Sequence, residues 1–437
     1  MTATAVLPDT PLAPTPAFTP APNPRELGPA LTERPHRAVF LAMLAEALSS
    51  YGMATHELEE SVARCADRLS IPARVSATPT SILLMIGPED DERTRLILPN
   101  RAGVNLTRLA ELARVARQVE NGELTAREGI EEIRTALRAR PRPSLLAETL
   151  GAGALAAGVL VVLGAQPADL AVGGAIGALV ALTLAVCARV GRLSRVGDFA
   201  AAAAAAALAT CADRFAGPVD IFPVTLAGLL PLLPGLSLTI AIAEIAAGSM
   251  VSGASRLIGA LTVLLSLGFG GAIGFKLAGA ESLAIVAGAP AAYPWWAQGL
   301  ALVAAGFAML IAFRARWRDL PVILGACLLA TLSARYAAAH FGPEFSALGG
   351  AFAVGVAALA YERLAKAPSQ IALLPGILLL VPGSVGFKSV RSFLDADAIA
   401  GVEGVFTMFV IAVGIVTGLL LASVLTPPAP RPAQLGA

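Results

Sequence analysis

Charge, aromatic rings and lysine are all scarce in this chain. Of 437 residues, 14% are charged and 5% aromatic, against 56% hydrophobic. So little charge excludes an ordinary soluble multidomain enzyme and fits a chain whose side chains lipid can solvate. The formal net charge of +1 leaves no bulk field to hold a nucleic acid. The four cysteines (Cys65, Cys187, Cys211, Cys327) lie far apart with no C-x-x-C, so they read as packing residues rather than as disulfides or metal ligands. G-x-S-x-G, H-E-x-x-H, paired Cys/His clusters and a Walker A lysine are all missing. An enzyme, a metal or cofactor site, and an ATP-driven pump encoded wholly in this chain are therefore not expected. Lysine occurs only at 276, 366 and 388; with the heavy use of Ala and Arg this suggests a GC-rich bacterial genome.

The charge that exists is concentrated early. Residues 1–32 are expected to be a disordered tail, with Pro8, Pro11, Pro14, Pro16, Pro20, Pro22, Pro24 and Pro29 set among Ala and Thr. The tail has neither the basic start nor the apolar run of a signal peptide, so the following domain is expected in the cytoplasm. Residues 33–143 have the pattern of a small α+β domain. Val39, Leu41, Leu44, Ala45 and Leu48 recur at helical spacing, Tyr51-Gly52 breaks the pattern, and a second helix is expected over 55–69. Strands are predicted at 74–78, 81–86 and 94–98, the last two joined by the turn-rich 87–91. Helices over 106–120 and 125–137 close the domain, separated by Asn121-Gly122.

The remainder is apolar enough for ten membrane spans of ~20 residues. Five fall at 145–164, 169–188, 198–213, 220–243 and 255–276, and five at 296–313, 320–337, 345–361, 369–386 and 402–425. The Ala-rich third is the least lipophilic. Two five-helix modules, 144–277 and 294–425, and a C-terminal tail, 426–437, follow from this division. With the N-terminal domain inside, thirteen basic residues flank the inner span ends: Arg138, Arg140, Arg142, Arg189, Arg192, Arg195, Arg256, Arg314, Arg316, Arg318, Arg363, Lys366 and Arg431. Five flank the outer ends: Arg214, Lys276, Arg335, Lys388 and Arg391. That asymmetry places both termini in the cytoplasm.

Each module carries a Pro-Gly interruption near the end of its fourth span. Leu233-Pro234-Gly235 is followed eighteen residues later by Gly253, and Val381-Pro382-Gly383 eighteen residues later by Gly401. Leu373-Leu374-Pro375-Gly376 offers a competing register, and the glycine match favours the first. An odd number of spans per module inverts the second copy relative to the first, and inverted modules with interrupted spans mark secondary transporters. Proline removes a backbone donor, and the freed polar groups must face protein or water. A helix restarting after Pro-Gly presents free N–H groups and a positive dipole end suited to a carboxylate. Ser237, Thr239 and Ser384 offer hydroxyls beside those starts. The competing explanation, helix ends at the membrane surface, carries equal weight.

The stretch Tyr51-Gly52-Met53-Ala54-Thr55-His56-Glu57-Leu58-Glu59 resembles the opening motif of the threonine/serine exporter family. Pro231-Leu232-Leu233-Pro234-Gly235-Leu236-Ser237-Leu238-Thr239 does so too, followed by Glu244-x3-Gly248 and Ser252-Gly253. The segment from Val381-Pro382-Gly383-Ser384-Val385-Gly386 resembles that family's C-terminal module, a separate protein in split relatives. The resemblance covers about 36–425. It implies export of threonine or serine, driven by the proton gradient, across a bacterial inner membrane. Some split relatives are associated with succinate, which keeps a dicarboxylate as the alternative substrate and a passive channel or sensor as a weaker one. Where this family often has Asp, the chain has Glu244, and where it often has Gly-Asp, the chain has Gly248-Ser249, one carboxylate fewer.

The expected substrate-contacting set is thus Pro234, Gly235, Ser237, Thr239, Glu244, Pro382, Gly383, Ser384 and Lys388. Glu244 is the acid singled out, for proton coupling or contact with a substrate amine, because a carboxylate at a membrane half-helix is expensive. Lys388 and Arg391 read first as wetted outer-loop charges balanced by Asp395, Asp397 and Glu403, and Arg256 as a topological cap on the fifth span. Thr55 reads as an N-cap with Glu57, Glu59 and Glu60 favouring the helix dipole, and His56 as a surface residue. Gly151, Gly153, Gly173, Gly177, Gly270 and Gly274 read as close-packing positions between helices. The small-residue faces also make a homo-oligomer an expectation.

Overall fold

The computed structural model describes residues 29–88, 92–99, 104–138, 144–190, 192–279, 291–365 and 367–425. The expected tails, the tip of the 87–91 turn, and Arg140, Arg142, Lys366 and Arg431 lie outside these residues, except that helix already begins at Pro29.

The N-terminal layer runs α1 (Pro29–Ser50), α2 (Thr55–Arg68), β1 (Ala73–Ala77), β2 (Ile82–Ile86), β3 (Arg93–Ile97), α3 (Leu106–Glu120) and α4 (Ala126–Leu137). The strands form one antiparallel sheet in chain order, with Ala73 opposite Ile86 and Ile82 opposite Ile97. Local chemistry sets the helix starts. Asn105 accepts from the Arg108 N–H, and Thr125 with Glu128 closes a reciprocal capping box. Glu59 of α2 accepts from the Ala77 N–H at 2.6 Å, tying the sheet to the helix. The core of this layer (Phe40, Leu44, Leu48, Leu58, Leu109, Leu112, Ile133) is not closed on itself. It continues into Met309, Leu310, Phe313, Ile323, Cys327 and Leu374 of the apolar region. Leu106 N–H donates to Phe313 C=O at 2.9 Å, the Thr107 hydroxyl to Arg314 C=O at 2.6 Å, and Arg316 pairs with Glu111 at 2.8 Å.

Twelve further helices follow: α5 (Leu145–Val162), α6 (Pro167–Arg189), α7 (Gly197–Ala216), α8 (Ile221–Leu229), α9 (Gly235–Ala246), α10 (Met250–Leu277), α11 (Trp295–Ala312), α12 (Leu320–Phe341), α13 (Ser346–Ala365), α14 (Gln370–Leu378), α15 (Gly383–Leu394) and α16 (Ala398–Leu425). Among the described residues nine helices are long and apolar enough to cross a membrane, ten if α8 and α9, bent by 54° at their break, count as one span. This is a largely helical, polytopic membrane protein. Lipid is as apolar as the buried side chains, so close packing of small residues must hold such helices together. Gly270 and Gly274 of α10 do this against the Ala stripe of α7: a methyl added at either would lie 2.3 Å from Phe199 O or 2.2 Å from Ala203 O. Gly153 and Gly177 play the same part between α5 and α6. Cys65, Cys187 and Cys327 are buried and unbonded to one another, as packing residues are.

The interruptions are not at span ends. Each lies between two half-helices, α8 and α9 in one case, α14 and α15 in the other, which corrects the expected position. The turns that follow match in detail. Gly253 abuts Ile245, and Gly401 abuts Phe393. Gly248 and Ala396 both take positive φ, +87° and +63°. Ser249 N–H donates to Glu244 C=O at 2.8 Å, and Asp397 N–H to Ser392 C=O at 2.9 Å. Each pair occupies the same offset from Gly235 and Gly383, so the glycine-matched register describes the local geometry and the one through Pro375, which lies inside α14, does not.

Candidate functional site

The two interruptions face each other. A methyl on Gly235 would stand 3.0 Å from the Gly383 nitrogen and 2.6 Å from Val381, and one on Gly383 would stand 3.3 Å from the Gly235 nitrogen and 2.9 Å from Leu233. Only hydrogen fits at either position. Pro234 and Pro382 cap the two helices in nearly the same conformation (φ −79°, ψ 33° and φ −83°, ψ 24°), and neither helix start has a side-chain cap. The first N–H groups of α9 and α15 therefore lack intrahelical acceptors, and two positive dipole ends meet at one point. From it α9 runs back toward the N-terminal layer, while α15 continues α14 away from that layer as one span. Ser237 and Ser384 are half-buried beside these starts, Thr239 is buried with its hydroxyl donated to Gly235 C=O at 3.1 Å, and Lys388 is exposed.

At the far end of α9, Glu244 is fully buried and every oxygen is engaged. Arg256 grips it twice, Nη2 to Oε1 at 2.8 Å and Nε to Oε2 at 3.1 Å, while Ser252 donates to Oε2 at 2.9 Å and Thr55 to Oε1 at 3.1 Å. Arg256 is thus the partner of Glu244, a contact that its reading as a cap on the fifth span did not include. α10 begins at Met250, which brings position 256 beside the carboxylate. Thr55 is not an N-cap either: Ala54 occupies that position without a side-chain bond, and the freed hydroxyl reaches across to α9.

Between α9, α13, α14 and α16, and roofed by the start of α2, lies a cavity of about 310 Å³. Its walls are mainly apolar. Among the described residues on them, the polar and charged groups include His56, Glu57, Thr239, Glu244, Ser369 and Gln370, and none is Lys or Arg. Gly52, with φ +98°, turns the chain from α1 so that α2 points its first turn here. Glu57 accepts from Gln370 Nε2 at 2.5 Å. Burial pushes the Glu57 carboxyl above the ordinary carboxylate range, with His56 pulling the other way. His56 is half-buried with Nδ1 unpartnered, which overturns its reading as a surface residue. Of the expected set, Thr239 and Glu244 line this cavity, and Pro234, Gly235, Ser237, Pro382, Gly383, Ser384 and Lys388 do not.

Sequence reasoning passed over Glu57, Gln370, Ser252 and Arg256. Glu57 and Ser252 sat inside quoted motifs, but helix-dipole chemistry explained the first well enough to hide it, and nothing marked Gln370. Away from the N-terminal layer, Arg391 is not a wetted loop charge. It is 9% exposed on α15, its guanidinium lies over Phe222 and Phe275 at 5.2 and 4.9 Å, and Nε donates to Asp395 at 3.0 Å. Of the other two acids expected to balance it, Asp397 accepts from the Ala400 N–H at 3.0 Å and Glu403 is exposed.

The sequence is similar to those of known proteins over most of its length. The chain is 26% identical over 368 residues to pheromone-regulated membrane protein 10 of Candida albicans, covering 81% of this chain and 33% of that one. It is 24% identical over 421 residues to an uncharacterised Schizosaccharomyces pombe protein, covering 89% and 51%, and 24% identical over 416 residues to the Saccharomyces cerevisiae pheromone-regulated membrane protein 10, covering 89% and 54%. The chain thus spans from a third to just over half of these fungal relatives. No solved structure matches it. Residues 39–278 match one threonine/serine exporter family model and residues 298–425 a second, so that the N-terminal layer from Val39 onward, both interruptions and the cavity all fall within matched segments. The chain belongs to the threonine/serine exporter family.

Proposed function

We propose that this protein is a secondary transporter that exports threonine, serine or a similar small amino acid, using two inverted five-helix modules that alternate access around the facing starts of α9 and α15. The observation that carries this reading is the cavity: two carboxylates, Glu57 and Glu244, on its wall and, among the described residues, no Lys or Arg. With Glu244 held by Arg256 and Glu57 favouring its neutral form, the cavity offers carboxyl acceptors to an ammonium group and no described cation to a dicarboxylate. The paired helix starts of α9 and α15 lie outside this cavity and offer N–H donors to a carboxylate at a second position along the transport path. The matched turns after Gly235 and Gly383 support the inverted modules, and the positive-inside asymmetry supports a cytoplasmic N-terminal layer. In this reading the N-terminal layer, tied to α9 through Thr55 and to α14 through Glu57, roofs the loading side. Glu57, whose burial favours its neutral form, is the group suited to exchange a proton with the gradient.

Counterflow in proteoliposomes tests the proposal. Vesicles loaded in turn with unlabelled threonine, serine or succinate should accumulate the matching labelled amino acid, and a collapsed proton gradient should slow net export. Glu57→Gln should abolish the pH dependence, and Glu244→Gln should weaken exchange. Succinate exchange alone would reassign the substrate. No exchange with any of the three, in protein shown to be folded, would remove the transport reading.

A further inference from the structure

A second cavity, of about 320 Å³, lies where α3 meets the α11–α12 and α13–α14 connections. Among the described residues its charged wall is Arg114, Arg117, Arg316 and Arg318 against Glu111 and Asp319, with Glu132 paired to Arg114 at 3.0 Å. The two acids are already engaged. Glu111 takes Arg316, and Asp319 accepts from the Arg316 backbone N–H at 3.1 Å to cap α12. Arg316 Nε is nevertheless buried without a partner. Pro368 and Ile371 bring the start of α14 to the same wall, adding that helix's positive end to the guanidinium field. With Glu132 counted, this wall still carries one more positive than negative group. Planar guanidinium forks are the groups that match phosphoryl oxygens in pairs.

We infer that this cavity is a binding site for a phosphoryl anion, separate from the transport cavity. The site stands whether or not the chain transports an amino acid. Its position gives it a consequence as well: Ser369 and Gln370 on the same first turn of α14 line the first cavity, and Gln370 holds Glu57 there. An anion drawn against α3 and the start of α14 fastens the N-terminal layer to the helix that shapes the first cavity. Two sources supply this chemistry, a soluble phosphorylated compound and the headgroup of an anionic phospholipid. The cavity lies level with the ends of α11 and α12, beside the exposed Trp317, where either can reach it.

The test uses the purified full chain with two probes. In detergent, inorganic pyrophosphate is titrated at constant ionic strength and binding is read from the rise in unfolding temperature. In parallel, the chain is taken from nanodiscs of phosphatidylcholine with or without phosphatidylglycerol, and retained lipid is counted by native mass spectrometry. Saturable stabilisation by pyrophosphate identifies a soluble ligand, and retained phosphatidylglycerol identifies a headgroup. Either must weaken about ten-fold for each arginine contact removed, first in R318Q and then in R114Q/R318Q, whose exposed side chains make misfolding an unconvincing cause of loss. The proposal is overturned if neither probe binds saturably, or if binding survives unchanged in the double variant.

Discussion

Replacing Arg256 by glutamine should be among the most damaging single changes in the apolar region, although the side chain is only one of many arginines. Glu244 is 0% exposed and receives two of its four hydrogen bonds from this guanidinium. At a charge separation of ~4 Å and an effective dielectric of ~20, the attraction is about 4 kcal/mol. Removing the cation strands a buried carboxylate with only Ser252 and Thr55 as donors, which costs about 3–5 kcal/mol. Glu244→Gln is milder, about 1–3 kcal/mol, because Arg256 retains 23% side-chain exposure and can turn toward water. The double variant leaves two neutral amides able to bond each other, so its cost should fall short of the sum by about 2–3 kcal/mol. Unfolding of the purified protein by titration from mild detergent into dodecyl sulfate, followed by circular dichroism, gives all four corners of the cycle. Additive costs would mean that the two residues do not act as a pair, and the assignment of Arg256 as the partner of Glu244 would fall.

Three other outcomes follow from the same structure. Because burial raises the Glu57 carboxyl in the folded chain, the folded state binds more protons than the unfolded one from the ordinary value of 4.5 upward, so stability should fall as pH rises through the folded pKa; this slope should vanish in Glu57→Gln, as denaturation at a series of pH values will show. Gly274→Ala drives a methyl to within 2.2 Å of the Ala203 carbonyl and should cost about 1–3 kcal/mol by forcing α7 from α10, while Gly299→Ala, with nothing within 4 Å, should not destabilise the fold; thermal unfolding of the pair distinguishes them. Cys65 is buried and its thiol is pushed well above the usual range, so a maleimide should leave it unlabelled until the N-terminal layer unfolds, which peptide mass spectrometry can follow.

Much of this protein was legible without coordinates, for reasons that are local. A membrane span is set by the length and hydropathy of a single segment, so the ten predicted spans fall on the helices found, and strands β1–β3 lie within a residue of their expected places. The Pro-Gly interruptions were visible because proline removes a donor wherever it stands. The extent of the half-helices was not, since α9 runs on to Ala246 and α15 to Leu394 through Glu244, Lys388 and Arg391, which hydropathy reads as loop. Contacts between distant segments were beyond reach altogether. Thr55 and Glu57 have adequate local explanations at a helix start, and only the seating of α2 on α9 and α14 turns them toward Glu244 and Gln370. Arg256 looked like a flanking cation until α10 was seen to begin six residues before it. Sequence determined which segments enter the membrane and where the chain breaks. Tertiary structure decided which charges meet, because a buried carboxylate takes its character from partners that sequence distance does not reveal.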